Sequence, residues 1–182
     1  MLIRKEDSLL LIIDVQERTV PQTEAPREVI NNCAHLVSIS KELEVPSIIT
    51  EHNPKAQGKT IIDIRLAAGE EKSYQEKEEL SCWLNEKIKQ SITESGKRQI
   101  IVCGVETHIN VLQTAVDLQT AGYEVFVVAN ACSSRENLQH IYALQRLSHN
   151  DVEIVSYEMV VYEWLRTSSS EQYKEITGKY IL

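Results

Sequence analysis

Short apolar runs alternate with stretches of helical periodicity along most of the chain. Five runs, at 9–13, 47–50, 100–103, 125–129 and 152–155, are mainly apolar. A strand that is covered by helices on both faces is apolar almost throughout, because neither face meets water. The runs therefore predict the strands of a parallel sheet that is buried between helices.

The segments between these runs have the spacing of amphipathic helices. Helices are predicted over 27–44, 81–93 and 108–121, and two more around 138–145 and 157–165. Alternating strands and helices imply right-handed crossovers, so the predicted fold class is α/β: a three-layer α/β/α arrangement around a mainly parallel, doubly wound sheet. The segment 52–76 has no clear period and is predicted to be a long irregular loop.

Composition sets limits on the function. The chain has 182 residues, enough for one core, and we predict a single domain over 1–182. Its formal net charge of -8 offers no basic surface, so neither nucleic acid nor an anionic membrane is expected as a partner. No apolar stretch approaches the roughly 20 residues of a membrane helix, and 1–20 lack the pattern of a signal sequence.

The cysteines show neither a CxxC pair nor the spacing of a metal site. We expect all four to be reduced and buried in a cytoplasmic protein: Cys33, Cys82, Cys103 and Cys132. No cofactor is expected, since the chain has no GxGxxG or phosphate loop. No metal is expected either, because the one histidine after the second run has no partner at metal-ligand spacing.

Candidate chemistry lies where the apolar runs end, because ligands of an open α/β sheet bind outside the carboxyl ends of its strands. Asp14 closes the first run. A carboxylate at the edge of a desolvated core is suited to act as an acid or base. An aspartate that caps a nearby turn is an equally good interpretation.

Three other polar residues have two interpretations each. Lys77 lies in the charge run EEKSYQEKEE, where a solvated lysine at a helix start is the ordinary interpretation. His108 is either a pocket wall or a structural histidine. His52 has the same alternatives, although its position at a strand end favours the pocket.

Five segments together resemble the isochorismatase-like hydrolases, also called cysteine hydrolases, and in particular their branch of poorly characterised isochorismatase-domain proteins. The segments are LLIIDVQ at 10–16, TEHNPKAQGKT at 50–60, KEELSCW at 77–83, GVETHINVLQTAVDLQTAGYEV at 104–125 and VVANACSSR at 127–135. Each segment alone is weak evidence for the family, whereas the five segments in this order are specific to it and cover nearly the whole chain.

The resemblance implies a sheet of about six strands and an Asp–Lys–Cys site. By motif, the Asp corresponds to Asp14 and the Lys to Lys77, which reverses the ordinary interpretation of Lys77. A cis peptide is implied between Val105 and Glu106, where it helps to aim backbone N–H groups at a developing oxyanion. The family's cysteine nucleophile falls on Asn110.

An Asn amide cannot form a thioester, and this departure leaves two interpretations. In the first, the protein is a small-molecule hydrolase that works without a cysteine: Asp14 is the general acid or base, Lys77 is its partner, and Asn110 binds substrate or water. True isochorismatases of the family also lack the cysteine and cleave a vinyl ether, which needs only a proton donor and a water. In the second, the protein is catalytically inactive and acts as a small-molecule-binding or regulatory module.

The other pocket positions are predicted from the same strand ends and motifs. Substrate contacts are expected from Gln16, His52, Trp83, Glu106, His108 and Ile109. No substitute thiol is expected, because Cys103 and Cys132 belong to the scaffold, while the side that Cys82 faces stays open. The resemblance also implies a homo-oligomer. The apolar segment 160–165 supports this weakly, since it could equally cover the sheet.

Overall fold

Six strands form one sheet in the order β3-β2-β1-β4-β5-β6, and the computed structural model describes residues 1–181. The strands are β1 (Ser8–Ile13), β2 (Ser47–His52), β3 (Gln75–Lys77), β4 (Gln99–Val105), β5 (Glu124–Ser133) and β6 (Glu153–Val155). All neighbours pair in parallel. The central strands β1 and β4 are buried along their whole length, as continuous apolar runs predict. The predicted fold class is confirmed.

Helices cover both faces of this sheet. They are α1 (Pro26–Glu42), α2 (Pro54–Gln57), α3 (Ile62–Ala68), α4 (Glu86–Glu94), α5 (Leu112–Thr120), α6 (Asn137–Ser148), α7 (Tyr157–Leu165) and α8 (Glu171–Tyr180). α1 packs against α3 and α7, whereas α5 packs against α6. Strand order runs outward from β1 in one direction and from β4 in the other, so right-handed crossovers place these two groups on opposite faces. Every helix within 1–181 is too short or too polar to cross a membrane.

The strand order reverses between β1 and β4, which makes their carboxyl ends the expected place for a ligand. Ile13 at the end of β1 pairs with Thr50 of β2 and with Gly104 of β4. His52 pairs with Lys77 on the next strand outward. The polar residues that end these strands therefore leave the sheet along one edge.

The prediction of a long irregular loop over 52–76 is wrong. The segment contains α2 and α3 and leads into β3, which forms an edge of the sheet. Lys77 is the last residue of β3, so it ends a strand and does not begin a helix. A strand of three residues and helices of four and seven residues are too short to show a hydrophobic period.

Several element boundaries also differ from the sequence prediction. Residues 82–84 form a 3-10 turn, and α4 begins at Glu86, where the Asn85 side chain accepts a hydrogen bond from the N–H of Ile88. Residues 107–111 form a π-helical turn before α5. β5 continues to Ser133 past a register shift in its pairing with β4, and α8 has no counterpart among the predicted helices. The changes at α4, at the π-helical turn and in β5 arise from a local cap or an irregularity, which periodicity does not report.

The apolar segment 160–165 covers the sheet within the chain itself. It lies in α7, which buries Val160, Val161, Trp164 and Leu165. Nε1 of Trp164 donates a hydrogen bond to Oγ of Ser8 at the start of β1, at 3.0 Å. The segment therefore gives no support for an oligomer, because its apolar side chains are already used.

Gly104 allows β4 to approach β1 more closely than any other residue type would. Its φ is +128°, and a Cβ at this position would lie 2.0 Å from the carbonyl oxygen of Ile13 and 2.7 Å from its nitrogen. Both are backbone atoms in the centre of the sheet, so no rotamer change relieves the collision. The contact fixes the distance between the two strand ends that border the polar edge.

We expect Gly104→Ala to lower the free energy of unfolding by about 3 kcal/mol or more, since it combines overpacking with backbone strain. Urea unfolding followed by circular dichroism measures the change. Gly178→Ala is the matched control: it lies in α8 with no heavy atom within 4 Å of a Cβ, and should stabilise by at most about 1 kcal/mol. Equal unfolding midpoints for wild type and Gly104→Ala would contradict the close packing of the two strands.

Candidate active site

Asp14 turns away from the end of β1 with its carboxylate held inside the protein. Its φ of +53° lies in the left-handed region, which aspartate tolerates better than most residues. Its N–H donates to the carbonyl of Thr50 at 3.3 Å, and its side chain is only 1% exposed. The turn at the strand end thus buries an acid that would ordinarily be solvated.

Three donors surround the Asp14 carboxylate. Thr50 Oγ1 donates to Oδ1 at 2.7 Å. Lys77 Nζ and Asn110 Nδ2 both donate to Oδ2, at 2.6 Å and 3.0 Å. Both oxygens accept hydrogen bonds, as those of an ionised carboxylate do. Asp14, Lys77 and Asn110, which the sequence placed on three separate segments, therefore lie in one cluster.

Lys77 is as deeply buried as its partner. Its side chain is fully enclosed, and Nζ also donates to the carbonyl of Glu79 at 3.0 Å. The interpretation of Lys77 as a solvated lysine at a helix start is wrong. A buried charge without its partner destabilises a protein by about 3–5 kcal/mol, so each member of this pair requires the other.

Burial raises the pKa of the Asp14 carboxyl above its ordinary value near 3.8, because removal from water disfavours the charged form. The positive charge of Lys77 and the hydrogen bonds from Lys77 and Thr50 oppose this shift without cancelling it. Asp14 consequently takes up a proton at a higher pH than an exposed aspartate does. Such a carboxyl can donate a proton under milder conditions.

Asn110 reaches the cluster from the π-helical turn that follows β4. Besides its bond to Asp14, Nδ2 lies 3.4 Å from the carbonyl oxygen of Val105. Oδ1 is buried and has no hydrogen-bond partner among the described residues. The peptide bond between Val105 and Glu106 is cis, as the resemblance implied. The amide therefore presents donors, and not its oxygen, to the acid.

An open cavity of about 280 Å³ adjoins the cluster. The cluster contributes two lining residues, Asp14 and Asn110. Four of the six residues expected to contact substrate also line it: Gln16, His52, Glu106 and Ile109. The remaining lining residues are Thr19, Gln22, Gln57, Leu80 and Arg135. Its volume is just below the usual range for pockets that bind drug-sized ligands, so the cavity suits a molecule smaller than these.

Trp83 and His108 do not line this cavity. The Trp83 ring packs edge to face against Tyr123, with centroids 5.5 Å apart, and Lys89 Nζ lies 5.2 Å from its centroid. His108 Nδ1 is hydrogen-bonded to Oγ of Ser134 at 2.9 Å, which fits the structural interpretation of this histidine. Within 1–181, no three His, Cys, Asp or Glu side chains are grouped as a metal site requires.

Sequence reasoning missed two residues that shape the site. Arg135 donates from its backbone N–H and from Nε to Glu106 Oε2, at 2.9 Å and 3.0 Å. It lies just beyond the carboxyl end of β5, and that position was the signal that could have identified it. Thr50 lies near the end of the second apolar run and could have been found by the same argument. The two residues hold the two acids that line the cavity.

All four cysteines are free and buried, as predicted. Cys82 lies nearest the cluster, with Sγ 3.9 Å from Thr50 Oγ1. Burial, together with the negative charge of Asp14, raises the pKa of Cys82 to about 12. The pKa of Cys103 is raised by its hydrogen bond to Cys33 and by burial, and burial raises that of Cys132. These three cysteines are therefore neutral thiols at physiological pH and not the thiolates that act as nucleophiles.

Solved structures share this architecture. A structure described as the MAR1 ribonuclease of Caenorhabditis elegans is 25% identical and superposes with a TM-score of 0.92, covering all of this chain and 92% of the other. A protein from Escherichia coli, described as an octameric hydrolase of unknown specificity, is 21% identical and superposes with a TM-score of 0.93, covering all of this chain and 91% of the other. At 21% identity, the similarity to the Escherichia coli protein shows a shared fold alone.

Sequence comparisons identify the family. Isochorismatase domain-containing protein 2 of Xenopus laevis is 32% identical over 172 residues, which are 94% of this chain and 82% of that protein. The protein of the same name from Danio rerio is 31% identical over 170 residues, 93% of this chain and 84% of that protein. The family model described as the isochorismatase domain matches residues 8–159. With its sheet, its buried cluster and these matches, the chain belongs to the isochorismatase family.

Proposed function

We propose that the protein is a hydrolase of a small molecule, that Asp14 is its general acid and that the reaction needs no cysteine nucleophile. The observation that supports this most directly is the buried Asp14–Lys77–Asn110 cluster beside the cavity. Burial raises the pKa of Asp14, which suits a group that must carry and donate a proton. Cleavage of a vinyl ether is the reaction that these groups serve best.

In the proposed reaction Asp14 gives up one proton and later recovers one. Protonated Asp14 donates its proton to the terminal carbon of the C=C bond, and the ether oxygen shares the positive charge that develops. A water adds to the carbon bonded to that oxygen and returns a proton to Asp14. The hydroxyl proton of the resulting hemiketal passes to the ether oxygen, which leaves as an alcohol and gives a carbonyl compound, so the net change consumes one water. A positioned general acid contributes about 10² to 10⁴ in rate without any covalent intermediate.

Lys77 and Asn110 have supporting roles in this proposal. Lys77 stabilises the carboxylate that remains after proton donation, through the ion pair of 2.6 Å. Asn110 occupies the position of the family's nucleophile by motif, and binds substrate or water with its amide. No cysteine is among the residues that line the cavity. Cys82 is the nearest thiol to the cluster, and its pKa of about 12 makes it a poor nucleophile.

A small-molecule substrate fits the charges of the chain better than nucleic acid does. Although three structural neighbours are described as ribonucleases or putative ribonucleases, the net charge here is -8, and the cavity cation Arg135 is paired with Glu106. RNA binding usually requires a basic surface. We further propose a cytoplasmic homo-oligomer, and the octameric description of the Escherichia coli neighbour supports the assembly.

A non-catalytic ligand-binding or regulatory module is the alternative, and one observation favours it. Both Asp14 oxygens are engaged by donors from within the protein. An ion pair of this kind persists for structural reasons alone, since loss of either partner leaves a buried charge. The two functions differ in whether Asp14 exchanges protons with a ligand, and turnover assays separate them.

Asp14→Asn should lower kcat for a hydrolysed vinyl ether by about 10² to 10⁴, because the amide cannot donate an acidic proton. In wild type, kcat should fall about tenfold per pH unit above the Asp14 pKa, since only the protonated form is active. A pH–rate profile of both proteins measures this, with circular dichroism confirming that the variant is folded. A residual wild-type-like rate in Asp14→Asn would exclude Asp14 as the acid.

Lys77→Met should move the alkaline limb of that profile to higher pH. The positive charge of Lys77 holds down the pKa of Asp14, so a neutral side chain of similar length lets that pKa rise further. Lys87→Met, on the exposed surface of α4, is the matched control and should leave the limb in place. A limb at the same pH in wild type and Lys77→Met would show that another group controls the rate.

Asn110→Cys tests the alternative function. If the protein is a hydrolase, wild type should turn over members of a vinyl ether and small amide panel, and Asn110→Ala should weaken this activity. Wild-type silence across the panel, combined with amidase or esterase activity in Asn110→Cys, would instead favour a binding module that has lost its nucleophile. Assays of all three proteins on the same panel give the decision.

A further inference from the structure

His52 lines the cavity and has no task in the proton transfers described above. Alternate residues of a strand point to the same face, so His52 shares the side of β2 from which Thr50 reaches Asp14. Its imidazole therefore lies on the acid's side of the sheet. This ring is a polar group available to a ligand beside Asp14.

Gln16 fixes the position of His52 from both directions. Its Oε1 accepts from the His52 N–H at 2.8 Å, and its Nε2 donates to the His52 carbonyl at 3.2 Å. The same Nε2 donates to the carbonyl of Gly58 at 2.6 Å, and Gln16 is completely buried. The backbone that carries the imidazole is thus held by an enclosed side chain, which limits the positions that the ring can adopt.

The surroundings of the imidazole determine which nitrogen carries the proton in its neutral form. Nδ1 is buried and has no hydrogen-bond partner among residues 1–181. A buried N–H without an acceptor is rarer in proteins than an acceptor without a donor, so the neutral ring favours a bare Nδ1. The proton then lies on Nε2. Nε2 is not enclosed in this way, and since His52 lines the cavity, Nε2 is also the ring nitrogen that a ligand can reach.

The charges around the cavity narrow the ligand class further. Arg135 Nε is paired with Glu106 at 3.0 Å, and Lys77 Nζ is paired with Asp14 at 2.6 Å. Arg135, the one arginine or lysine that lines the cavity, and Lys77 behind it thus each have a carboxylate partner already. With the imidazole neutral, an anionic ligand would meet two acids and no unpaired cation among the lining residues, whereas an uncharged ligand would meet an N–H donor.

We propose that neutral His52 carries its proton on Nε2 and that this N–H donates a hydrogen bond to an uncharged oxygen of the ligand. The acceptor is a carbonyl, ether or hydroxyl oxygen. The inference rests on the proposed function only in that the cavity binds a small molecule. It makes His52 the residue that selects an oxygen acceptor over an isosteric hydrocarbon, and Gln16 the residue that positions it.

The protonated nitrogen can be measured without a ligand. Two-bond proton–nitrogen correlation spectra of ¹⁵N-labelled protein distinguish protonated from bare imidazole nitrogens, and His52→Gln assigns the His52 signals by their loss. We expect a bare Nδ1 and a protonated Nε2 at a pH where the ring is neutral. A proton on Nδ1 would overturn the proposal.

Binding is tested with three probes. Acetophenone and α-methylstyrene have the same shape but carry C=O and C=CH2 respectively, and benzoate is the anionic counterpart. Titrations followed by chemical-shift changes should show acetophenone binding about 2- to 12-fold more tightly than either of the others, the value of one hydrogen bond. His52→Gln, which keeps a donor at a similar reach, should retain the preference, and His52→Met should lose it. His149→Gln, on the exposed end of α6, is the control and should bind like wild type.

Equal affinity of wild type for acetophenone and α-methylstyrene, or equal behaviour of His52→Gln and His52→Met, would overturn the donor role. These results are independent of turnover. A protein that binds the probes as expected but hydrolyses no vinyl ether contradicts the proposed hydrolase alone. A protein that hydrolyses a vinyl ether but carries the His52 proton on Nδ1 contradicts this inference alone.

Discussion

The buried ion pair between Asp14 and Lys77 is the interaction on which the rest of the site depends. It joins the end of the central strand β1 to the end of the edge strand β3, across β2. Its desolvation cost is offset only because the partners are 2.6 Å apart and make further hydrogen bonds. Asp14 accepts one from Thr50, and Lys77 donates one to the carbonyl of Glu79. A three-residue edge strand is thus held in register by the same contact that supplies the acid. Under the proposed function, stability and chemistry depend on the same contact.

Charge pairing also determines what the cavity offers to a ligand. Each acid that lines it has a cationic partner, Lys77 for Asp14 and Arg135 for Glu106. The remaining lining consists of four amides, one hydroxyl, one imidazole and the apolar side chains of Leu80 and Ile109. Such a surface recognises a molecule by the positions of its hydrogen-bond donors and acceptors rather than by its charge. Because the lining groups are anchored to strand ends and to buried Gln16, much of this recognition geometry exists before a ligand arrives.

Sequence patterns predicted the sheet and its order of elements well, and parts of the site less well. Continuous apolar runs identify strands that are buried on both faces, and β1 and β4 are of this kind. β3 was not predicted, because three residues at a sheet edge carry no period, and the burial of Lys77 was missed for the same reason. Only the family resemblance assigned Lys77 to the site. Trp83 follows Lys77 closely in sequence, but the 3-10 turn at 82–84 places it against Tyr123 and away from the cavity. Side-chain direction at turns depends on local backbone geometry, which the pattern of apolar residues does not encode.

The enclosed cysteines have a practical consequence for experiments on the folded state. Since all four sulfurs are buried and none is disulfide-bonded, a water-soluble alkylating reagent can reach them only when the surrounding layers separate. The rate of alkylation therefore counts excursions of the native protein towards open forms. Cys82, whose sulfur lies 3.9 Å from Thr50 Oγ1, reports on opening beside the Asp14 cluster, whereas Cys103 in β4 reports on opening of the central sheet. The chain thus carries its own probes of local and global opening, without any introduced label.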